Sequence, residues 1–153
     1  MSQFLISGYA SLPVRDVEDH LVALKALTWS TLPPLLVEHE EKQVAGKILK
    51  LAWDEKGLAI TALLDREYKD QGAFSCRFGV LAHRIHGKSR DAYAEVLRGT
   101  IREISIVSRP ACPGAIITSC VPYVAPTAAR AETPITKSAR QAEIARLLAE
   151  MRS

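Results

Sequence analysis

Apolar and polar residues alternate along much of this chain, the pattern of strands that lay one face on a core. Residues 3–10 read as a first strand ending near Gly8, and residues 13–20, with Pro13, Asp16, Glu18 and Asp19, as a loop. Residues 21–29 fit a short helix or a strand. Pro33-Pro34 force an extended approach to Leu35-Leu36-Val37-Glu38-His39. The clearest hairpin joins residues 43–53 to 57–64 through the turn Asp54-Glu55-Lys56-Gly57. A polar turn at 65–71 leads into a strand reaching about Ile85. Residues 89–98 predict a helix capped by Ser89 and stopped by Gly99. Thr100 to Val107 alternate again, residues 108–115 form a bend, and residues 116–121 close the β region. The fold class expected is β-rich α+β, in one domain over residues 1–121. A Pro/Ala/Thr-rich linker over 122–136 and an amphipathic helix over 137–153 follow. That helix carries Ile144, Leu147, Leu148 and Met151 on one stripe, with Thr136 or Ser138 as its cap.

Composition narrows the function. A chain of 153 residues, close to half of them apolar, supports one domain with a real core. The formal net charge is only +3 and the basic residues are scattered, so nucleic-acid binding is not expected. No apolar run approaches the roughly 20 residues of a membrane span. Met1 to Ser7 has neither a basic start nor a long apolar run, so no signal peptide is expected. Cys76, Cys112 and Cys120 are odd in number and form no CxxC pair, which predicts reduced thiols in a cytosolic setting. His83 and His86 lack the cysteine or carboxylate company of a zinc site, so no metal is expected.

Candidate chemistry begins at Phe74-Ser75-Cys76-Arg77-Phe78-Gly79-Val80. Phe74, Cys76, Phe78 and Val80 are expected on the core face, leaving Ser75, Arg77 and Gly79 on the other. A serine on that face is ordinarily a plain strand serine. Two further residues stand out: His39, closing an apolar run, and Glu103, opposite in face to Ile104 and Ile106. Acyl transfer by serine needs a base for the hydroxyl proton and a third group to orient that base. His39, Ser75 and Glu103 suit those roles, but spacing alone does not bring them together.

Order and context add to this. Ser7-Gly8-Tyr9-Ala10-Ser11, Pro34-Leu35-Leu36-Val37-Glu38-His39-Glu40 with Val44-Ala45-Gly46-Lys47-Ile48, the turn Asp54-Glu55-Lys56-Gly57-Leu58, and Phe74-Ser75-Cys76-Arg77-Phe78 follow one another. Arg102-Glu103-Ile104-Ser105-Ile106-Val107 and Arg109-Pro110-Ala111-Cys112-Pro113-Gly114-Ala115 complete the series. In that order the chain resembles the prohead (procapsid maturation) serine proteases of tailed phages, relatives of the herpesvirus assemblins. The segments are similar to that family's "GYAS", "PLLWxHD…PIGRV", "DEKGL", "LSIGF" and "EVSLVxxPAxPxA". The resemblance covers about residues 5–120. It departs in a shortened stretch between His39 and Ser75, and in Cys76-Arg77 where Ile-Gly is common. A second register reads Leu97 to Ile106 as the family's "LKxGxIxGLSIG" and makes Ser105 the nucleophile; Ser75 is preferred because the "PAxPxA" bend follows Ser105 directly.

The resemblance implies a herpesvirus-protease-like β-barrel with few helices. It implies a serine endopeptidase in which Ser75 attacks, His39 carries the proton and Glu103 orients His39. Arg77, beside Ser75 on the same strand face, is a candidate for oxyanion support or a plain solvated strand arginine. Implied partners are capsid and scaffold protein substrates, the chain itself among them, inside an assembling procapsid in the cytoplasm of a bacterial host. No cofactor is called for. The terminal helix is long enough to bind a partner or a second copy. The rival expectations are a catalytically inactive capsid-assembly or scaffold module of the same fold, and an unrelated small β-domain.

Overall fold

The computed structural model describes residues 2–124 and 145–151. The first unit, Met1–Tyr123, contains nine strands: β1 (Gln3–Ser11), β2 (His20–Val22), β3 (Leu27–Thr28), β4 (Leu35–Val37), β5 (Glu40–Trp53), β6 (Leu58–Leu64), β7 (Ala73–His86), β8 (Tyr93–Val107) and β9 (Ile117–Tyr123). They form one sheet in the order β2-β8-β4-β5-β6-β1-β9, with β3 and β7 also paired to β8. Strand β8 is the hub. Along one edge it takes β7 antiparallel; along the other it takes β2, β3 and β4 in succession, all parallel. Among the described residues no strand ladder closes the sheet. Ala73 and Ile116 make only an isolated bridge across the gap, so the barrel is loose.

The core is one cluster drawn from most of the strands, with Ile6, Leu27, Leu35, Leu58, Phe74, Ile104 and Ile106 fully buried. Alternation predicted a core face for Phe74, Ile104 and Ile106, and burying such side chains supplies most of the drive to fold, about 1.5–3 kcal/mol each. Gly8 shows how tightly β1 is held. A Cβ there would fall on the Ile116 carbonyl oxygen and against the Phe74 ring, so only glycine lets β1 approach the segment leading into β9.

The expected helix over 89–98 is absent. Ser89–Asp91 form a 3₁₀ turn, and Tyr93 onward belongs to β8. Pairing decided this: Ala94, Glu95 and Val96 are held by β7 on one side and β2 on the other, which overrides a modest helical preference. Ser89 itself has φ +61°, not the extended backbone of an N-cap. Residues 21–29, open between helix and strand, contain β2 and β3. At the far end, β9 continues through Pro122 and Tyr123, two residues into the expected linker. As the last strand in the order, β9 tolerates a proline.

In the second unit, Val124–Ser153, residues 145–151 are helical, with Leu147, Leu148 and Met151 exposed. Residues 125–144, which hold the rest of the expected linker, Thr136, Ser138 and Ile144, lie outside the described residues.

Candidate active site

Three adjacent strands bring the candidate residues together. In register, Leu36 of β4 lies beside Ser105 of β8, and Ser105 lies beside Ser75 of β7. Glu103 is two residues from Ser105, hence on the same face of β8. His39 comes from the two-residue turn between β4 and β5, where Val37 pairs with Glu40. Both turn residues have positive φ, +52° at Glu38 and +60° at His39, as a primed hairpin turn requires. Neither is glycine or asparagine, so the turn is strained by roughly 1–3 kcal/mol per residue. Surrounding contacts hold it. The Glu38 N–H donates to Ile106 O at 2.9 Å, and Glu38 Oε1 accepts the Ser108 N–H at 2.6 Å.

From that turn the imidazole reaches both neighbours. His39 Nε2 lies 2.9 Å from Ser75 Oγ, and His39 Nδ1 lies 2.5 Å from Glu103 Oε1. A carboxylate only accepts, so Nδ1 carries the proton and Nε2 is left to accept from the Ser75 hydroxyl. Burial is graded along this chain of contacts. Glu103 is 6% exposed, whereas Ser75 and His39 are half-buried at a cleft. That cleft, a cavity of about 290 Å³, is lined by Ser75, His39, Arg77, Cys76, Ala111 and Cys112 among others. The geometry places the Ser75 hydroxyl at the cleft, the His39 imidazole behind it and the Glu103 carboxylate behind the imidazole.

The other candidates lie off this line of contacts. Ser105 is fully buried; its Oγ donates to Glu103 Oε2 at 2.7 Å and accepts the His39 N–H at 3.0 Å. No ring nitrogen is bonded to it. Arg77 is exposed, with Nε 3.6 Å from Glu103 Oε1, so its charge neighbours the acid. Cys76 donates from Sγ to Ala10 O at 3.4 Å, and burial pushes its thiol up to about 12, with Cys112 and Glu103 adding to the rise. Burial also raises the Cys112 thiol. The expected core face of β7 fades along the strand. Phe74 is fully buried, but Val80 is 47% exposed, on a stretch of β7 that among the described residues is paired only with β8. His83 is exposed. His86 bonds Glu95 at 2.8 Å and stacks on Tyr93.

One grouping was not anticipated. Asp16, Glu18 and His20 also line the cleft, and among the described residues they present possible metal-ligand atoms within 4.8 Å of one another. Asp16 Oδ1 already accepts the N–H groups of Glu18 and His20, so this carboxylate shapes its own loop. The acidic loop was visible in the sequence; its place at the cleft depends on β2 pairing with β8.

No family model matches the chain, and no curated protein matches it. Seventeen chains of solved structures match. Among them is KSHV protease, crystallised in complex with a hexapeptide phosphonate inhibitor, at TM-score 0.50 and 12% identity, covering 97% of this chain and 77% of that one. The fold is that of a herpesvirus protease. At this identity the likeness speaks to the herpesvirus-protease-like fold alone. It agrees with the strand-dominated architecture expected from the sequence.

Proposed function

We propose that this chain is a serine endopeptidase of the prohead type, cutting scaffold or capsid protein, and itself, during procapsid maturation. The observation that carries the reading is the chain of contacts from Ser75 Oγ to His39 Nε2 and from His39 Nδ1 to Glu103 Oε1. In this mechanism His39 takes the Ser75 proton as the hydroxyl attacks a peptide carbonyl, then returns it to the leaving amine. Glu103 fixes the imidazole tautomer and stabilises the imidazolium. The oxyanion falls to backbone N–H groups of the bend 108–115, whose Ala111 and Cys112 line the cleft.

Two further observations support a peptide substrate. The neighbouring fold belongs to a protease crystallised with a hexapeptide phosphonate. Beyond Phe74, no strand other than β8 pairs with β7 among the described residues, so an extended peptide has free backbone groups to pair with beside Ser75. The phage setting and the capsid substrate rest on the motif order in the sequence.

A fluorophosphonate probe tests the reading. It should label the folded protein at Ser75, and labelling should vanish in Ser75→Ala and His39→Ala. Folded wild-type protein that takes up no label would make the chain a non-catalytic module of the same fold.

A further inference from the structure

Among the groups bonded to His39 and Glu103, Ser105 supplies a buried hydroxyl that lies outside the proton path. Its two hydrogen bonds have an unambiguous direction. The His39 backbone N–H only donates and the Glu103 carboxylate only accepts, so the single Ser105 proton points at Glu103. Glu103 is thereby held by both oxygens, Oε1 on the imidazole and Oε2 on Ser105. A carboxylate fixed at both oxygens does not rotate away from the histidine it orients. The same hydroxyl fixes the other end of that histidine, by bonding its peptide N–H on a residue held at φ +60°. Within the described residues no other protein group bonds that N–H or Oε2, and Arg77 approaches only Oε1.

We infer that Ser105 is a positioning residue, a clamp that sets the imidazole in line with Ser75 by tying the backbone of His39 to the side chain of Glu103. This rests on the endopeptidase reading above and excludes Ser105 as nucleophile. A proton committed to a carboxylate, on a hydroxyl with no exposed surface, is not free to attack a substrate. The clamp touches neither substrate nor the reacting atoms, so its loss should act on turnover rather than on binding.

The test compares Ser105→Ala with Ser105→Thr in the full chain. Ser105→Ala is expected to lower kcat on the order of 10-fold to 100-fold, the scale of a small misplacement of a catalytic group, with KM for a peptide substrate unchanged within about twofold. Ser105→Thr, which keeps the hydroxyl, should recover most of the rate. A readout that needs no turnover is the far-downfield proton resonance of His39 Nδ1–H. It should broaden or disappear in Ser105→Ala and persist in Ser105→Thr. Wild-type kcat in Ser105→Ala, or an intact resonance, overturns the clamp; so does a loss confined to KM. If Ser105→Ala does not fold, Ser105→Cys, which fills the site with a somewhat larger sulfur and weakens both bonds, takes the same measurements. Ser75→Ala separates the two levels. If that variant still hydrolyses peptide, Ser75 is not the nucleophile; if the folded wild-type chain hydrolyses none, the endopeptidase reading has failed; in either case the resonance alone judges the clamp.

Discussion

Cys76 is next in sequence to Ser75, and its environment makes it a poor nucleophile. Burial first, then Cys112 and Glu103, raise its thiol from 9.0 to about 12. At pH 8 the folded protein should therefore alkylate at Cys76 about 10³-fold more slowly than the same chain in urea, followed by mass spectrometry of the modified peptide. Comparable rates would refute the burial. The sign for stability follows. A thiol raised on folding favours the native state fully below pH 9.0, and that contribution is lost as pH climbs toward about 12. At this scale the sequence singled out His39, Ser75 and Glu103 as polar residues in apolar surroundings, and the structure brings the three into contact. It was uninformative about Ser105, which shares a strand face with Glu103. Alternation assigns a face but says nothing of which atom a hydroxyl meets.

Among the elements, β1 carries a sharp local requirement at Gly8. Replacing it by alanine pushes a methyl into the Ile116 carbonyl and the Phe74 ring. Phe74 is the neighbour of Ser75, so the clash is passed to the strand that holds the hydroxyl. Gly8→Ala is expected to cost about 1–3 kcal/mol, read as a lower urea midpoint at an unchanged m-value; a wild-type midpoint would show that β1 relaxes freely. The hairpin of β5 and β6 was legible because its turn chemistry is local: Asp54 Oδ1 accepts the N–H groups of Lys56 and Gly57. The first third of β8 was not. Tyr93 to Arg98 has a composition a helix accepts, and partners from residues 20–22 and 82–86 make it a strand.

For the molecule as a whole, the strands could be read one by one but not their order in the sheet. The parallel contact of β4 with β8 joins two short stretches far apart in sequence, and nothing in three apolar residues names their partner. That contact also sets a sequence of events. Ser75 and Glu103 are brought together by neighbouring antiparallel strands, whereas the bond from the His39 N–H to Ser105 spans 66 positions. Distant parallel pairings form late. In refolding, Ser75 labelling by a fluorophosphonate should lag behind the far-UV circular dichroism signal of the sheet; simultaneous appearance would contradict this order. The strained turn then acquires a meaning in time. At a synthesis rate of about 5–20 residues per second, His39 leaves the ribosome roughly 3 to 13 seconds before the residue that holds it. Until then the His39 N–H lacks its Ser105 partner, and on the endopeptidase reading proposed above the nascent chain has no assembled proton path with which to cut the proteins made around it.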